Sequence, residues 1–445
     1  MRVLLFHGYM LRGTGSNIYN ANLARALARL GHEVHLLCQD RETKIEGVEI
    51  HNPDIHGLLP VYVKDPYEGF EVKAFPELTE AELDRYIEAN VAAVREVAAA
   101  AGGIDVALGN HLVMGPAILA RADVAPFAAK IHGSALEYTV KPHPRFLPYA
   151  REGMEAANGV LVGSRHTAES LWAALSDVDG LEEKTRLGPP GVDTEEFAPG
   201  GERRRAVVFV GKLIVSKGVD LLLAAWPLVH DANPDVRLEI AGFGEYEEGL
   251  RRLWAALGQG DLGGAGEVAA AGRGLEGGEE KALPILSAFL ADPPAGYVQA
   301  AKAAAGSVEF IGRLEHDQVA ELLPEAEALV MPSTFPEAFG MVAAEAAACG
   351  ALPVSAGHSG MLEVSRQLQE ALPPEIGRLT SFPVEEGAVE AIAERLDGWL
   401  SLSEPERAAA QESLVETARR LWSWEGVARG VIAAGGGDLD RLPLA

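Results

Sequence analysis

Two glutamates, Glu337 and Glu345, lie eight positions apart across the predicted start of a helix. The apolar run 328–331 predicts a buried strand, and the prolines after it indicate a loop before a helix that begins near Gly340. The first amides of that helix lack intrahelical partners, and its positive end attracts a phosphate. Carboxylates accept hydrogen bonds from paired hydroxyls. The pattern therefore predicts a sugar-nucleotide site, with one acid on the sugar and the other on the ribose.

An ordinary surface helix is the alternative interpretation of the same residues. In that case Glu337 would serve only as a favourable charge at the helix N-terminus. The position of Glu345 argues against this alternative, because its alanine-rich surroundings indicate burial, and a buried unpaired carboxylate is costly.

Two lysines, Lys212 and Lys217, follow a predicted strand over 206–210 and precede a predicted helix over 219–230. Ligands of open α/β sheets bind at the carboxyl ends of the strands, so both ammonium groups can converge on a diphosphate. Solvated lysines in a polar turn would produce the same local sequence.

The N-terminal half offers two weaker signals. Gly13-Thr-Gly15-Ser16 precedes a predicted helix over 17–30, but it lacks the third glycine of a dinucleotide fingerprint and favours only a close approach to a phosphate or sugar. His132 follows a predicted strand over 127–131, where a structural and a functional histidine are both reasonable.

Composition restricts the possible partners. The 445 residues contain 38 lysines and arginines against 65 aspartates and glutamates, a net charge of −27 without a basic block, which disfavours nucleic acid and anionic membrane surfaces. The opening strand leaves no room for a signal peptide and no apolar run approaches a membrane span, so we expect a cytoplasmic protein. Cys38 and Cys349 are expected to be buried thiols.

Alternating strand and helix signals predict an α/β fold of two doubly wound domains. The first covers 1–190, a Pro- and Gly-rich hinge follows, and the second covers 195–418. Residues 256–305 depart from the alternation and are interpreted as either a functional flap or a mobile insertion, with the insertion favoured and a helix near 282–290.

Together these segments resemble the family-4 retaining glycosyltransferases, which have the GT-B architecture. The resemblance spans nearly the whole chain apart from 256–305, and its most specific element is the Glu337 to Glu345 motif. It implies two Rossmann-like domains facing a central cleft, with a C-terminal helix, about 420–445, packed on the first domain. The other matching motifs are Gly13-Thr-Gly15-Ser16, Gly191-Val-Asp-Thr, Gly211-Lys212, Lys217-Gly218, Gly242-Phe-Gly244, Gly312-Arg-Leu314 and Phe339-Gly340.

The resemblance implies a nucleotide-sugar donor and no metal or other cofactor. It assigns catalytic roles to His132, Lys217 and Glu337. The implied donor contacts are Gly15, Lys212, Lys217, Arg313, Leu314, Glu337, Phe339, Gly340, Met341 and Glu345. Two departures concern Lys212, where the family commonly has arginine, and 357–363, where it more often has Gly-Gly followed by Pro-Glu.

The resulting hypothesis is a retaining, metal-independent hexosyltransferase with same-face attack. The donor is a UDP-glucose or UDP-GlcNAc type of sugar nucleotide or GDP-mannose, and the acceptor is an unidentified small molecule, glycan or lipid-linked compound read by loops that include 62–75 and 138–149. A phosphorylase or sugar-nucleotide epimerase on the same architecture, or a non-catalytic sugar-nucleotide-binding subunit, are the alternatives.

Overall fold

A computed structural model describes residues 1–13, 15–62, 67–337 and 339–445. Thr14 of the glycine loop, Ala338 of the expected anion site and part of the proposed acceptor loop 62–75 lie outside the described residues. The chain divides into two compact units, Met1–Gly191 with Trp422–Ala445, and Val192–Leu421. Each unit is built on a parallel sheet, as the α/β prediction requires.

The first unit contains a seven-stranded parallel sheet in the order β3-β2-β1-β6-β7-β8-β9 and a separate parallel pair, β4 and β5. The strands are β1 Arg2–Phe6, β2 Glu33–Leu37, β3 Val48–His51, β4 Leu58–Val61, β5 Glu71–Ala74, β6 Val106–Asn110, β7 Phe127–Ile131, β8 Gly159–Val162 and β9 Thr185–Leu187. The helices are α1 Gly15–Arg29, α2 Glu80–Ala100, α3 Gly115–Ala122, α4 Leu147–Ala156, α5 Arg165–Ala174 and, after the second unit, α17 Trp424–Gly436.

Helices cover both faces of this sheet because neighbouring residues of each strand point to opposite sides. Leu4 packs in one apolar core and Leu5 in the other. The second core includes Trp424 and Val431 of α17, so the C-terminal helix completes the first unit. The strands predicted from apolar runs are confirmed here, whereas the short strands β3, β4, β5 and β9 were not predicted.

The second unit contains a six-stranded parallel sheet in the order β12-β11-β10-β13-β14-β15. The strands are β10 Ala206–Val210, β11 Arg237–Ala241, β12 Val308–Gly312, β13 Ala328–Met331, β14 Leu352–Ala356 and β15 Ser381–Phe382. The helices are α6 Val219–Ala232, α7 Glu247–Gln259, α8 Leu262–Ala271, α9 Pro284–Ala291, α10 Tyr297–Ala304, α11 His316–Leu322, α12 Met341–Ala348, α13 Ser359–Gln369, α14 Pro374–Gly377, α15 Ala388–Leu400 and α16 Glu404–Trp422.

Residues 256–305 consist mainly of packed helices, which is contrary to the expectation of a mobile segment. Leu286 of α9 and Ala304 of α10 are fully buried. The hydroxyl of Tyr297 donates to the Ala224 carbonyl of α6 at 2.7 Å. The helix expected near 282–290 is α9. Burial of these alanine and leucine side chains explains an Ala-rich composition that otherwise suggests a loose segment.

Two further features of the chain are the state of its cysteines and the lengths of its helices. Both cysteines are free thiols in the interior, as predicted, and burial raises the pKa of each to about 12. Among the described residues, every helix is too short or too polar to cross a membrane.

Candidate functional site

The loop that carries Lys217 is held against a neighbouring loop by direct backbone contact. Lys217 ends a 3-10 turn after β10, and Gly218 follows in the left-handed conformation, with φ +65°. A Cβ at Gly218 would lie 2.0 Å from the Pro332 carbonyl oxygen, a spacing only glycine permits. The Thr334 amide donates to the Ser216 carbonyl at 2.9 Å. The loops after β10 and β13 therefore meet at the carboxyl edge of the sheet.

This contact brings two of the predicted residues together. The Lys217 ammonium lies 2.6 Å from Glu337 Oε1 in an ion pair whose side chains are 27% and 21% exposed. The Ser333 hydroxyl donates to the same carboxylate oxygen. The Glu337 amide donates to Ser359 Oγ at 2.9 Å, and the Gly360 amide donates to the Glu337 carbonyl at the same distance. Glu337 is thus fixed through both its main chain and its side chain.

The segment 256–305 supports the Lys217 loop. Glu276 accepts a hydrogen bond from the Val215 amide at 2.8 Å, although the two residues are 61 positions apart. The other predicted lysine, Lys212, is exposed, and within the described part of the chain its ammonium has no ion-pair partner. Lys212 is therefore available to an anion, whereas Lys217 is already paired.

Glu345 is buried inside α12, where it is only 4% exposed. Its Oε1 atom lies 3.1 Å from His316 Nε2 at the start of α11. The hydrogen bond to Glu345 raises the pKa of His316 above its usual value. The His316 ring also packs against Phe197, with ring centroids 4.9 Å apart. The burial that the alanine-rich context predicted is confirmed, and the carboxylate is paired with a histidine that was not predicted.

The remaining predicted donor contacts of the second unit lie at the same edge of the sheet. Arg313 is exposed, pairs with Glu315 at 2.9 Å and lies 4.9 Å from the Phe243 ring centroid. Leu314 is half-buried beside it. The other three stand at the start of α12: Phe339 is buried, Gly340 has φ +97° and Met341 is half-buried.

The His316–Glu345 pair makes a pH-dependent contribution to stability. A histidine whose pKa is raised on folding adds to the free energy of unfolding. Its contribution is complete below pH 6.5 and disappears as the pH rises through the folded-state pKa. We expect His316→Gln to lower the melting temperature by about 1–3 °C at pH 6 and by less at pH 9. His230→Gln, which changes a half-buried histidine at the end of α6, is the control. Equal losses for His316→Gln at both pH values would contradict the assignment.

The first unit holds Gly15 and His132. Gly15 is the first residue of α1. His132 follows β7, and its Nε2 atom lies 2.9 Å from the Asn110 side-chain oxygen. Burial, with His111, Lys130 and His7 nearby, lowers the pKa of His132 well below its usual value, so the ring is neutral at pH 7.

A chain of buried amides fixes the proton on His132. His7 Nε2 faces two acceptors, Met10 O at 3.0 Å and Asn17 Oδ1 at 2.9 Å, so it carries the proton. His7 Nδ1 then accepts from Asn20, whose oxygen accepts from Asn110 at 2.8 Å. The Asn110 oxygen therefore accepts from His132 Nε2. Consequently Nδ1 of His132 keeps its lone pair.

The sequence interpretation missed several residues that this geometry makes important. Asn20 and Asn110 are 0% and 1% exposed, and a polar residue on the apolar face of a helix or at the end of a buried strand was the available signal. His316 and Ser359 had no comparable signal, because each is recognised only by its partner in the tertiary structure. Gly15 and His132 lie in the first unit, and the other predicted site residues lie in the second. Within the second unit, Lys217 contacts Glu337 directly.

Two parallel α/β sheets, with a lysine–glutamate pair and a helix N-terminus at the carboxyl edge of the second, define a protein of the GT-B class. Solved structures with this fold cover the chain almost completely. The catalytic domain of starch synthase IV from Arabidopsis thaliana, bound to ADP and acarbose, has a TM-score of 0.61 at 14% identity, with 99% of each chain covered. HepE of Anabaena, in complex with UDP and glucose, has a TM-score of 0.59 at 14% identity, covering 99% of this chain and 100% of that one.

Family models place the chain more narrowly. "Glycosyltransferase Family 4" matches residues 13–196, and models described as "Glycosyl transferases group 1" match 204–271 and 298–419. The N-terminal part of the chain thus matches the family-4 model, the rest matches the group 1 models, and with the fold they identify a glycosyltransferase. Residues 272–297, between the last two matches, include Glu276 and helix α9.

The curated relatives are named as mannosyltransferases or glycosyltransferases, and they match the chain over different shares of its length. A GDP-mannose-dependent alpha-(1-6)-phosphatidylinositol monomannoside mannosyltransferase of Mycolicibacterium smegmatis is 31% identical over 162 residues, 33% of this chain and 40% of that protein. A D-inositol 3-phosphate glycosyltransferase of Frankia alni is 28% identical over 371 residues, 78% of each. The chain spans 40%, 52% and 46% of the length of the first three curated relatives that it matches.

Proposed function

We propose that the chain transfers a hexose from a nucleoside-diphosphate sugar to a hydroxyl-bearing acceptor, without a metal ion and with retention of anomeric configuration. The observation that carries this proposal is the Lys217–Glu337 pair in front of helix α12. It combines a cation for a diphosphate, a carboxylate for sugar hydroxyls and a helix N-terminus for a phosphate oxygen within one loop system.

The cations act on the bond that breaks. When the bond between the anomeric carbon and the diphosphate oxygen lengthens, negative charge accumulates on the leaving oxygen. Lys217 and the exposed Lys212 stabilise that charge, and so do the first amides of α12. The nucleoside diphosphate leaves with the bonding electrons. The protein therefore needs no metal to neutralise the leaving group.

Glu337 is better suited to binding sugar hydroxyls than to acting as a nucleophile. Its Oε1 atom already accepts hydrogen bonds from the Lys217 ammonium and the Ser333 hydroxyl. Two donors on one carboxylate oxygen occupy the lone pairs that nucleophilic attack would need. We infer that the acceptor oxygen attacks the anomeric carbon on the face from which the diphosphate leaves. The acceptor proton then passes to a leaving phosphate oxygen.

Glu345 is proposed to hold the donor ribose together with His316. Glu345 is buried. The side chain of His316, which contacts Glu345, is 37% exposed and can therefore be reached from solvent. A ribose diol can therefore bond to the carboxylate, the imidazole or both. Guanosine and uridine donors are both candidates, because one relative named above is GDP-mannose-dependent, whereas the solved structures named above hold UDP or ADP.

A melting-temperature screen followed by product analysis tests the proposal. We expect one of GDP-mannose, UDP-glucose and UDP-GlcNAc, at about 100 times its Kd, to raise the melting temperature by about 5 °C or more. That donor is then supplied with inositol, inositol phosphates and phosphatidylinositol, acceptor types suggested by the names of the relatives. The proposal predicts transfer with the anomeric configuration of the donor retained, as measured by NMR.

Other outcomes of this experiment separate the alternatives. Release of a sugar phosphate that depends on added phosphate would indicate a phosphorylase. Conversion of the donor to its epimer would indicate an epimerase, and donor binding without transfer or hydrolysis across the acceptor panel would indicate a binding subunit. No stabilisation by any sugar nucleotide would overturn the donor site itself.

A further inference from the structure

Four titratable side chains share one face at the edge of the sheet in the first unit. Glu33 and His35 belong to β2, and Glu49 and His51 belong to β3, the last strand of the sheet. The parallel register pairs His35 with Glu49 and Leu37 with His51. Because alternate residues of a strand point to the same side, this register brings the histidines and glutamates together.

The distances within the group suit coordination of an ion. His35 Nδ1 lies 3.1 Å from His51 Nε2 and 3.5 Å from Glu49 Oε2. His51 Nε2 lies 3.8 Å from Glu49 Oε1. One ligand atom from each of the three residues falls within 4.8 Å of the others. Two nitrogens, each about 2.1 Å from one zinc ion at a near-tetrahedral angle, would stand at a comparable separation.

The orientation of the His35 ring suits a cation at the centre of this group. Its Nε2 atom lies 3.2 Å from Glu33 Oε1 and is occupied by that carboxylate. Its Nδ1 atom instead faces His51 Nε2 and the Glu49 carboxylate, so ligand atoms from three residues converge on one point.

We propose that His35, Glu49 and His51 bind a divalent transition-metal ion, with Zn²⁺ as the best match. Two imidazole nitrogens and one carboxylate oxygen form a ligand set that zinc prefers. Glu33 orients His35 from behind, as carboxylates commonly do for metal-bound histidines. His35 is buried, whereas 67% of the Glu49 side chain and 21% of the His51 side chain are exposed, so solvent reaches the fourth position.

The ion would fasten the edge strand β3 to the sheet. Among the described residues β3 pairs only with β2, and an edge strand held on one side is the least protected part of a sheet. The His51 carbonyl also accepts from the Cys38 amide at 2.9 Å. This role is structural, and it is independent of the donor site proposed for the second unit.

Metal titration of the full chain tests this proposal. After treatment with a chelator, the protein is titrated with ZnCl₂ by calorimetry and with Co²⁺ by visible absorption. We expect one equivalent to bind to the wild type, and we expect affinity to fall at least about 100-fold in His51→Gln and in Glu49→Gln. Zinc should raise the melting temperature of the wild type but not of these variants.

His56→Gln is the matched control, because His56 faces the single carboxylate of Asp54 at 3.7 Å in the same unit. That pair lacks the third ligand, so we expect this variant to bind zinc like the wild type. Circular dichroism and melting of the metal-free variants establish that each is folded. Zinc affinity in His51→Gln and Glu49→Gln equal to that of the wild type, or no stoichiometric binding by the wild type, would overturn the proposal.

Discussion

Replacement of Glu337 by glutamine or of Lys217 by alanine is expected to reduce glycosyl transfer at least about 100-fold, or about 2.7 kcal/mol of barrier. The two changes remove different interactions, although their side chains form one ion pair. Lys217→Ala deletes a cation that stabilises the leaving diphosphate. Glu337→Gln keeps the shape of the side chain but removes the charge that binds sugar hydroxyls and holds the lysine. Initial rates with the donor identified by the melting-temperature screen measure both effects.

Binding of the free nucleoside diphosphate separates the two roles. We expect Lys217→Ala to weaken this binding, because the ligand retains the diphosphate. Glu337→Gln should weaken it less than Lys217→Ala does, because the ligand lacks the sugar and the variant keeps the lysine. Glu386→Gln, an exposed glutamate of the same unit, is the control for loss of an acidic charge. Near-normal turnover in both Lys217→Ala and Glu337→Gln would end the assignment of this loop as the donor site.

Strands β10 to β14 and the site loops of the second unit could be predicted because their signals are local, whereas the two-residue strand β15 was not predicted. The apolar run that forms β13, the prolines after it and the start of α12 at Met341 follow from neighbouring residues alone. The short strands β3 and β9 could not be predicted in this way, because they are only four and three residues long and their formation depends on the neighbouring strand.

The partners of the site residues could not be predicted, because they come from distant parts of the sequence. Glu345 is hydrogen-bonded to His316, which lies 29 positions away, and the Val215 amide donates to Glu276. The amide chain from His7 to Asn110 depends on three separate elements meeting in the first unit. Residue types and spacing identified the acids and the lysine, whereas the groups that orient them required the tertiary structure.

Gly218→Ala is expected to destabilise the second unit by about 3 kcal/mol or more, a loss of about 6–12 °C in melting temperature, and to abolish donor binding. The left-handed backbone at this position accounts for about 1–2 kcal/mol of strain in any residue with a Cβ. The larger cost comes from the Pro332 carbonyl oxygen, which the new methyl group would approach to 2.0 Å. The loop that carries Lys217 must then separate from the loop that carries Glu337.

Gly387→Ala isolates the backbone strain from the loop contact. Gly387 also precedes a helix of the second unit, has φ +95° and has open space where a Cβ would stand. We therefore expect this variant to lose only about 1–2 kcal/mol and to bind the donor normally. Differential scanning calorimetry and donor titration compare the two variants. Equal losses of stability, with donor binding kept in both, would show that the contact between Gly218 and Pro332 does not hold the site together.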